Sequence, residues 1–220
     1  MSAKKVRGRR SFVLVFGEGR EKHDQDAICA IASTIQARVC VSSQVPTFTA
    51  RGKPLTLARN ANPAKQQKLL AKINQICEAW TRGDVTAVIM HHDSDTPDPR
   101  LENRTALLRI LQEEGLPQPV AAVPVVDIEC WWQSFPDELK RVSVRWRNLA
   151  IPGGRTDTGH HGKSQLKAIT RQAGQEYDEA DSLKVAGYIA ERIDSDGPTA
   201  PGGKNASWDR FVADVAAIRQ

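Results

Sequence analysis

The run Phe12-Val13-Leu14-Val15-Phe16 has no polar side chain and stops at Gly17-Glu18-Gly19. Val85-Thr86-Ala87-Val88-Ile89-Met90 is almost as apolar and stops at His91-His92-Asp93-Ser94-Asp95. Short continuous apolar runs that end in turn or charged residues are the pattern of strands buried on both faces. Such strands occur in parallel sheets, whose crossover helices cover both sides. Residues 23–37 supply one such helix: Ile28, Ile31, Ala32 and Ile35 share a face, and Asp24 and Asp26 lie in the first turn, where a carboxylate favours the helix dipole. Val39-Cys40-Val41 reads as a second short strand. Pro63 opens a helix running to about Arg82, with Leu69, Leu70, Ile73, Ile76 and Trp80 on its apolar side, because the N–H that proline lacks is not needed there. A further helix is expected over 101–114, and Val120 to Val126 forms a fourth strand that Pro124 makes an edge or an interrupted one. Alternating strands and helices imply parallel pairing through right-handed crossovers. The expected fold is α/β, a mostly parallel sheet flanked by helices with a helical C-terminal elaboration.

Beyond Ile128 the strand signal ends. Apolar helical stretches follow at 128–140, 163–173, 177–193 and 206–219, separated by glycine-rich breaks at 152–162 and 197–203. They read as helices packed on the sheet. The chain thus divides into a basic tail (1–10), an α/β core (11–127) and a helical part (128–220) packed on that core as a single domain. A chain of 220 residues buries enough surface to need no disulfide or metal staple. The four cysteines, at 29, 40, 77 and 130, form no C-x-x-C pair and sit in apolar contexts, so they read as buried thiols. The longest apolar run near the N-terminus has five residues, too few for a membrane span or a signal core, and a cytoplasmic protein is expected.

The formal charge is +5, and five of the first ten residues are Lys or Arg. Such a tail binds nucleic acid by releasing condensed counterions, or serves equally as a solubilising terminus. Residues 46–62 read as a loop carrying Arg51, Lys53 and Arg59; together with Arg155 these are the candidate phosphate contacts.

Ligands of open parallel sheets bind beyond the C-terminal ends of the strands. Glu18 lies two residues past the first strand, and Asp93 and Asp95 lie three and five past the third. An extended Asp-Ser-Asp directs both carboxylates to one side. Three such oxygen ligands repel one another unless a cation joins them, and Mg²⁺ or Mn²⁺ suits a site of few carboxylates and several waters. Singly, each motif is as well explained as a turn or a capped loop.

Placed in this order, Gly17-Glu18-Gly19 and Asp93-Ser94-Asp95 resemble the signature of the Toprim domain, shared by topoisomerases, bacterial primases, recombination proteins and the overcoming-lysogenization-defect nucleases. Val126-Asp127-Ile128-Glu129-Cys130-Trp131-Trp132 resembles the "Glu-x-Trp" segment of short stand-alone Toprim-like proteins found beside ATPases in bacterial defence islands. Lys163-Ser164-Gln165-Leu166-Lys167 and Ser207-Trp208-Asp209-Arg210-Phe211 resemble that family's later blocks more loosely. The resemblance implies that Asp93 and Asp95 ligate Mg²⁺. Glu18 would ligate a second metal or act as general acid/base, with Glu129 as a fourth acid or a helix N-terminal carboxylate. Lys163 or Lys167 would stabilise a phosphoryl transition state, unless both are plain surface lysines. The implied activity is Mg²⁺-dependent hydrolysis of DNA or RNA in a prokaryotic defence system, with an ATPase partner encoded nearby. The alternative is a non-catalytic interaction or regulatory subunit of an ATPase complex. Homo-oligomerisation stays open.

Competing signals weigh less. His91-His92 and His160-His161 are vicinal, so on a strand each pair offers one ligand to a face, which is poor spacing for zinc. Gly162-Lys163-Ser164 ends like a P-loop, but Asp157 stands where that loop needs its first glycine. A receiver-type phosphoacceptor puts two acids after its first strand, where this chain has one. Tyr177 and Tyr188 sit in no topoisomerase motif. Trp131 and Trp132 read as core, with one of the pair allowed outside to stack on bases.

Overall fold

In the computed structural model, the residues described are 12–17, 23–36, 40–41, 63–98, 100–152, 154–158 and 162–219. Four parallel strands, β1 (Phe12–Phe16), β2 (Cys40–Val41), β3 (Val85–His91) and β4 (Pro119–Ala122), lie in the order β2-β1-β3-β4. The helices that alternate with them are α1 (His23–Ile35), α2 (Pro63–Thr81) and α3 (Glu102–Glu113). Then follow α4 (Glu129–Gln133), α5 (Pro136–Arg141), α6 (Lys163–Gln172), α7 (Ser182–Asp196) and α8 (Ala206–Ala216). Two 3-10 turns, Val144–Trp146 and Glu179–Asp181, interrupt this helical part.

The strand alternation sorts the core into two layers, because successive side chains leave a strand on opposite faces. Leu14, Phe16, Val88 and Met90 face Ile73, Ile76 and Ala79 of α2 and Leu107 and Leu111 of α3. Val13, Val15, Ala87 and Ile89 face α1 and the C-terminal helices, in a cluster holding Trp131, Trp132, Phe135, Trp208 and Phe211. The helical part therefore shares its core with the sheet. Both Trp131 and Trp132 are fully buried, so neither offers a face for stacking on bases. Their indole N–H groups donate to Ser207 Oγ (2.8 Å) and Ser182 Oγ (3.3 Å).

Two boundaries differ from expectation. The stretch 128–140 is two helices, since Pro136 cannot donate into a continuing helix and opens α5 instead. The fourth strand ends at Ala122, ahead of Pro124. Past it the chain still tracks β3: Ser94 N donates to Pro124 O (3.3 Å), Asp95 N to Val126 O (2.8 Å) and Val126 N to Ser94 Oγ (2.7 Å). The outer side of β4 is covered by the end of α8, where Gln118 exchanges hydrogen bonds with the backbone of Arg219 and Arg104 pairs with Asp214. Such covering protects an edge strand from pairing with another chain.

Candidate active site

Beyond the C-terminal ends of β3 and β4 the ladder becomes irregular, and Asp93 and Asp127 come near enough for the charge of one to act on the other. Asp95 and Val126 take left-handed backbone angles there (φ 57° and 69°). For valine that conformation costs about 1–3 kcal/mol and persists only where the surroundings impose it. Val126 immediately precedes Asp127, whose carboxylate accepts Lys163 N–H (2.8 Å) at the start of α6. Gly162 makes this contact feasible: its φ is 135°, and a Cβ would lie 2.7 Å from Asp127 Oδ2. Gln133 Nε2 holds the Gly162 carbonyl from beneath (3.1 Å).

Four carboxylates act on one another here. Glu129 is buried, and its carboxyl is pushed up to about 8, first by burial and then by Asp127, Asp93 and Asp24. Burial also raises Asp127, with the charge of Asp93 adding to it and the Lys163 N–H opposing. Asp24, in the first turn of α1, is raised by burial and by Asp93 and Glu179, while His91 and Lys163 pull it down. Asp93 lies 3.2 Å from Nε2 of His91, a fully buried imidazole at the end of β3. The ammonium of Lys163 pairs with Glu179. Burial lowers the Lys163 pKa, yet that hydrogen bond and the fields of Glu129, Glu179 and Asp24 leave it raised. Tyr177, buried and bonded to Ser182 Oγ (2.7 Å), is raised well above the phenol range by burial and then by Glu129.

Asp93 and Glu129 are thus brought together, with Lys163 beside them. Asp95 is exposed, and its left-handed backbone breaks the extended alternation on which the expectation of two carboxylates on one side rested. Arg155 is engaged by Asp157, at 3.0 and 3.2 Å from its two oxygens. Glu18, Arg51, Lys53, Arg59, His160 and His161 lie outside the described residues. Sequence reasoning gave Asp127 no role and Asp24 only a dipole role. Both had a signal: Asp127 follows the fourth apolar run as Asp93 follows the third, and a helix leaving β1 starts at the same sheet edge.

Among the described residues no three His, Cys, Asp or Glu side chains are arranged as a metal cage. The donor chemistry nonetheless fits a hard cation, since Mg²⁺ binds through one or two carboxylates together with waters and substrate phosphates. Asp93 and Asp127, both only partly buried and near enough for their charges to interact, are the pair that fits. No family model, no curated protein and no solved structure matches this chain. Among the described residues, no helix is long and apolar enough to cross a membrane.

Proposed function

We propose that this chain is a Toprim-like, Mg²⁺-dependent phosphodiester hydrolase acting on nucleic acid. The observation that carries the reading is the convergence of Asp24, Asp93, Asp127 and Glu129 on the C-terminal sheet edge, with Lys163 facing them. Asp93 and Asp127 would hold Mg²⁺ or Mn²⁺, which when bound supplies charge neutralisation at the phosphate. Glu129, whose carboxyl is raised first of all by its burial, would hold a proton for the leaving oxygen, as a raised carboxyl does in general acid catalysis. Lys163 would offset the charge that builds on the phosphoryl oxygens. Glu179 orients that ammonium.

Labelled single-stranded and duplex DNA and RNA, incubated with the protein and Mg²⁺ or Mn²⁺, test this. Cleavage that EDTA stops and that Asp93→Asn lowers by about 100-fold or more is expected. The reading includes an ATPase partner, so the assay is run with and without the product of a neighbouring ATPase gene. Intact substrate under both conditions overturns it.

One observation favours a second reading, a non-catalytic subunit of an ATPase complex. Asp127 already caps α6 and Lys163 already has a carboxylate partner, so both have structural employment. Calorimetric titration with Mg²⁺ separates the readings: binding that Asp93→Asn removes favours the hydrolase, and no binding beside a stable ATPase complex favours the subunit.

A further inference from the structure

Lys163, Lys167 and Arg171 recur every four residues along α6 and therefore share one face of it. Successive members are about 6 Å apart along the axis, and the row spans about 12 Å. It begins at the acidic cluster. Its far end is continued by Arg145, whose guanidinium donates to Gly174 O just past the last turn of α6. Close by in the chain, Arg147, Arg141 and Lys140 gather round one concavity within the segment Lys140-Arg141-Val142-Ser143-Val144-Arg145-Trp146-Arg147.

Two concavities flank the 3-10 turn in that segment. One, of about 370 Å³, lies between Arg145, Asn148 and Ile169, Gln172 of α6. The other, of about 340 Å³, is lined by Lys140, Arg141, Val144, Arg147 and Tyr188. Val144, at the lip of the second, is 73 % exposed. Arg141 lies 4.0 Å over the ring of Tyr188, which pre-orients it.

The counter-charges do not cancel the row. Glu179 faces Lys163, Glu176 is shared by Lys167 and Arg171, Glu191 pairs with Arg141 and Asp137 with Lys140. Seven cations meet four carboxylates, and among the described residues Arg145 and Arg147 have no carboxylate partner. An isolated run of exposed charge is ordinarily a solvated face. This one keeps a cationic excess, its repeat along α6 is close to the spacing of phosphates in an extended strand, and it is rich in the residue whose planar fork fits phosphate.

We propose that a nucleic-acid strand lies along this track, its backbone crossing the turn at Val144–Trp146 and following α6 to the acidic cluster. The direction of the path rests on the hydrolase reading; the binding itself does not. Fluorescence anisotropy of a labelled single-stranded oligonucleotide, in EDTA so that nothing is cut, measures the affinity across a salt series. Arg145→Glu/Arg147→Glu and Lys167→Glu/Arg171→Glu are each expected to weaken binding about 10-fold or more. Each should also reduce the magnitude of the log–log salt slope by about 1–2. Arg100→Glu/Arg109→Glu, an equal charge change beside and on α3 across the sheet, is the control. The Gln counterparts of the track variants, with thermal midpoints equal to the parent, guard against misfolding.

Track variants that bind like the control overturn the proposal. So does equally tight binding to polyglutamate, which would assign the track to an acidic protein. If the parent binds, the track variants do not, and no nucleic acid is cut under any condition, the track stands and the hydrolase reading falls. If cleavage is seen and its KM is unchanged in the track variants, the track falls alone.

Discussion

Glu129 holds a proton in the folded chain through a pH range in which an exposed glutamate has lost it, because burial and three neighbouring carboxylates disfavour its charge. The folded state therefore binds more protons than the unfolded one between about 4.5 and about 8, and stability falls as pH rises through that window. One proton of difference amounts to about 1.4 kcal/mol per pH unit. Asp24 and Asp127 are raised as well and act in the same sense. Thermal midpoints measured in EDTA should decline across the window, and Glu129→Gln should flatten the upper part of the decline. Asp95 makes the opposite case. Asp95→Asn, which keeps a residue tolerant of left-handed angles, should leave Mg²⁺-dependent cleavage within about twofold of the parent. The same assay with Asp93→Asn gives the contrast. The carboxylate after β3 was legible because a charge directly follows an apolar run. The orientation of Asp95 was not, since it depends on a φ imposed by the partner segment 123–126.

At the scale of single elements, α6 begins at the site only because Gly162 lets Asp127 reach its first N–H. Gly162→Ala must place a Cβ against that carboxylate at a positive φ, and a loss of about 1–3 kcal/mol is expected in denaturant melts. Mg²⁺ affinity should fall with it. The start of α8 is fixed differently, by Asn205. Its Oδ1 accepts Trp208 N–H (3.0 Å) and Ser207 Oγ–H (2.7 Å), and its Nδ2 donates to Thr156 Oγ1 (3.0 Å). Asn205→Ala should cost about 2 kcal/mol by chemical denaturation, as a cap and buried partners are lost together. The elements themselves were largely readable: α1, α2, β3, α3 and α6 fall within a residue or two of what periodicity and proline placement give. The stretch after Ile128 was read as one helix because its apolar period continues through Ser134 and Phe135, and periodicity does not register the break that Pro136 makes in the hydrogen bonding.

Across the whole molecule, Trp208 ties the last helix to the sheet layer, meeting Trp131 edge-on at 5.5 Å and Phe135 at 4.9 Å. Trp208→Ala should destabilise by about 3–5 kcal/mol. Because this core is shared by β1, β3, α1 and α4, far- and near-UV circular dichroism should still lose signal in one transition. The sequence could predict that the C-terminal helices pack on the sheet, but not that the packing completes a polar centre, since Asp24, Asp93, the pair Asp127 and Glu129, and Lys163 come from four separate stretches of the chain and meet only in the tertiary structure. That arrangement also governs how the site is lost. Trp208 packs against Trp131 of α4, the helix that opens with Glu129, so a cut or a local melting that frees α8 leaves the acids in the chain and removes the frame that holds them together.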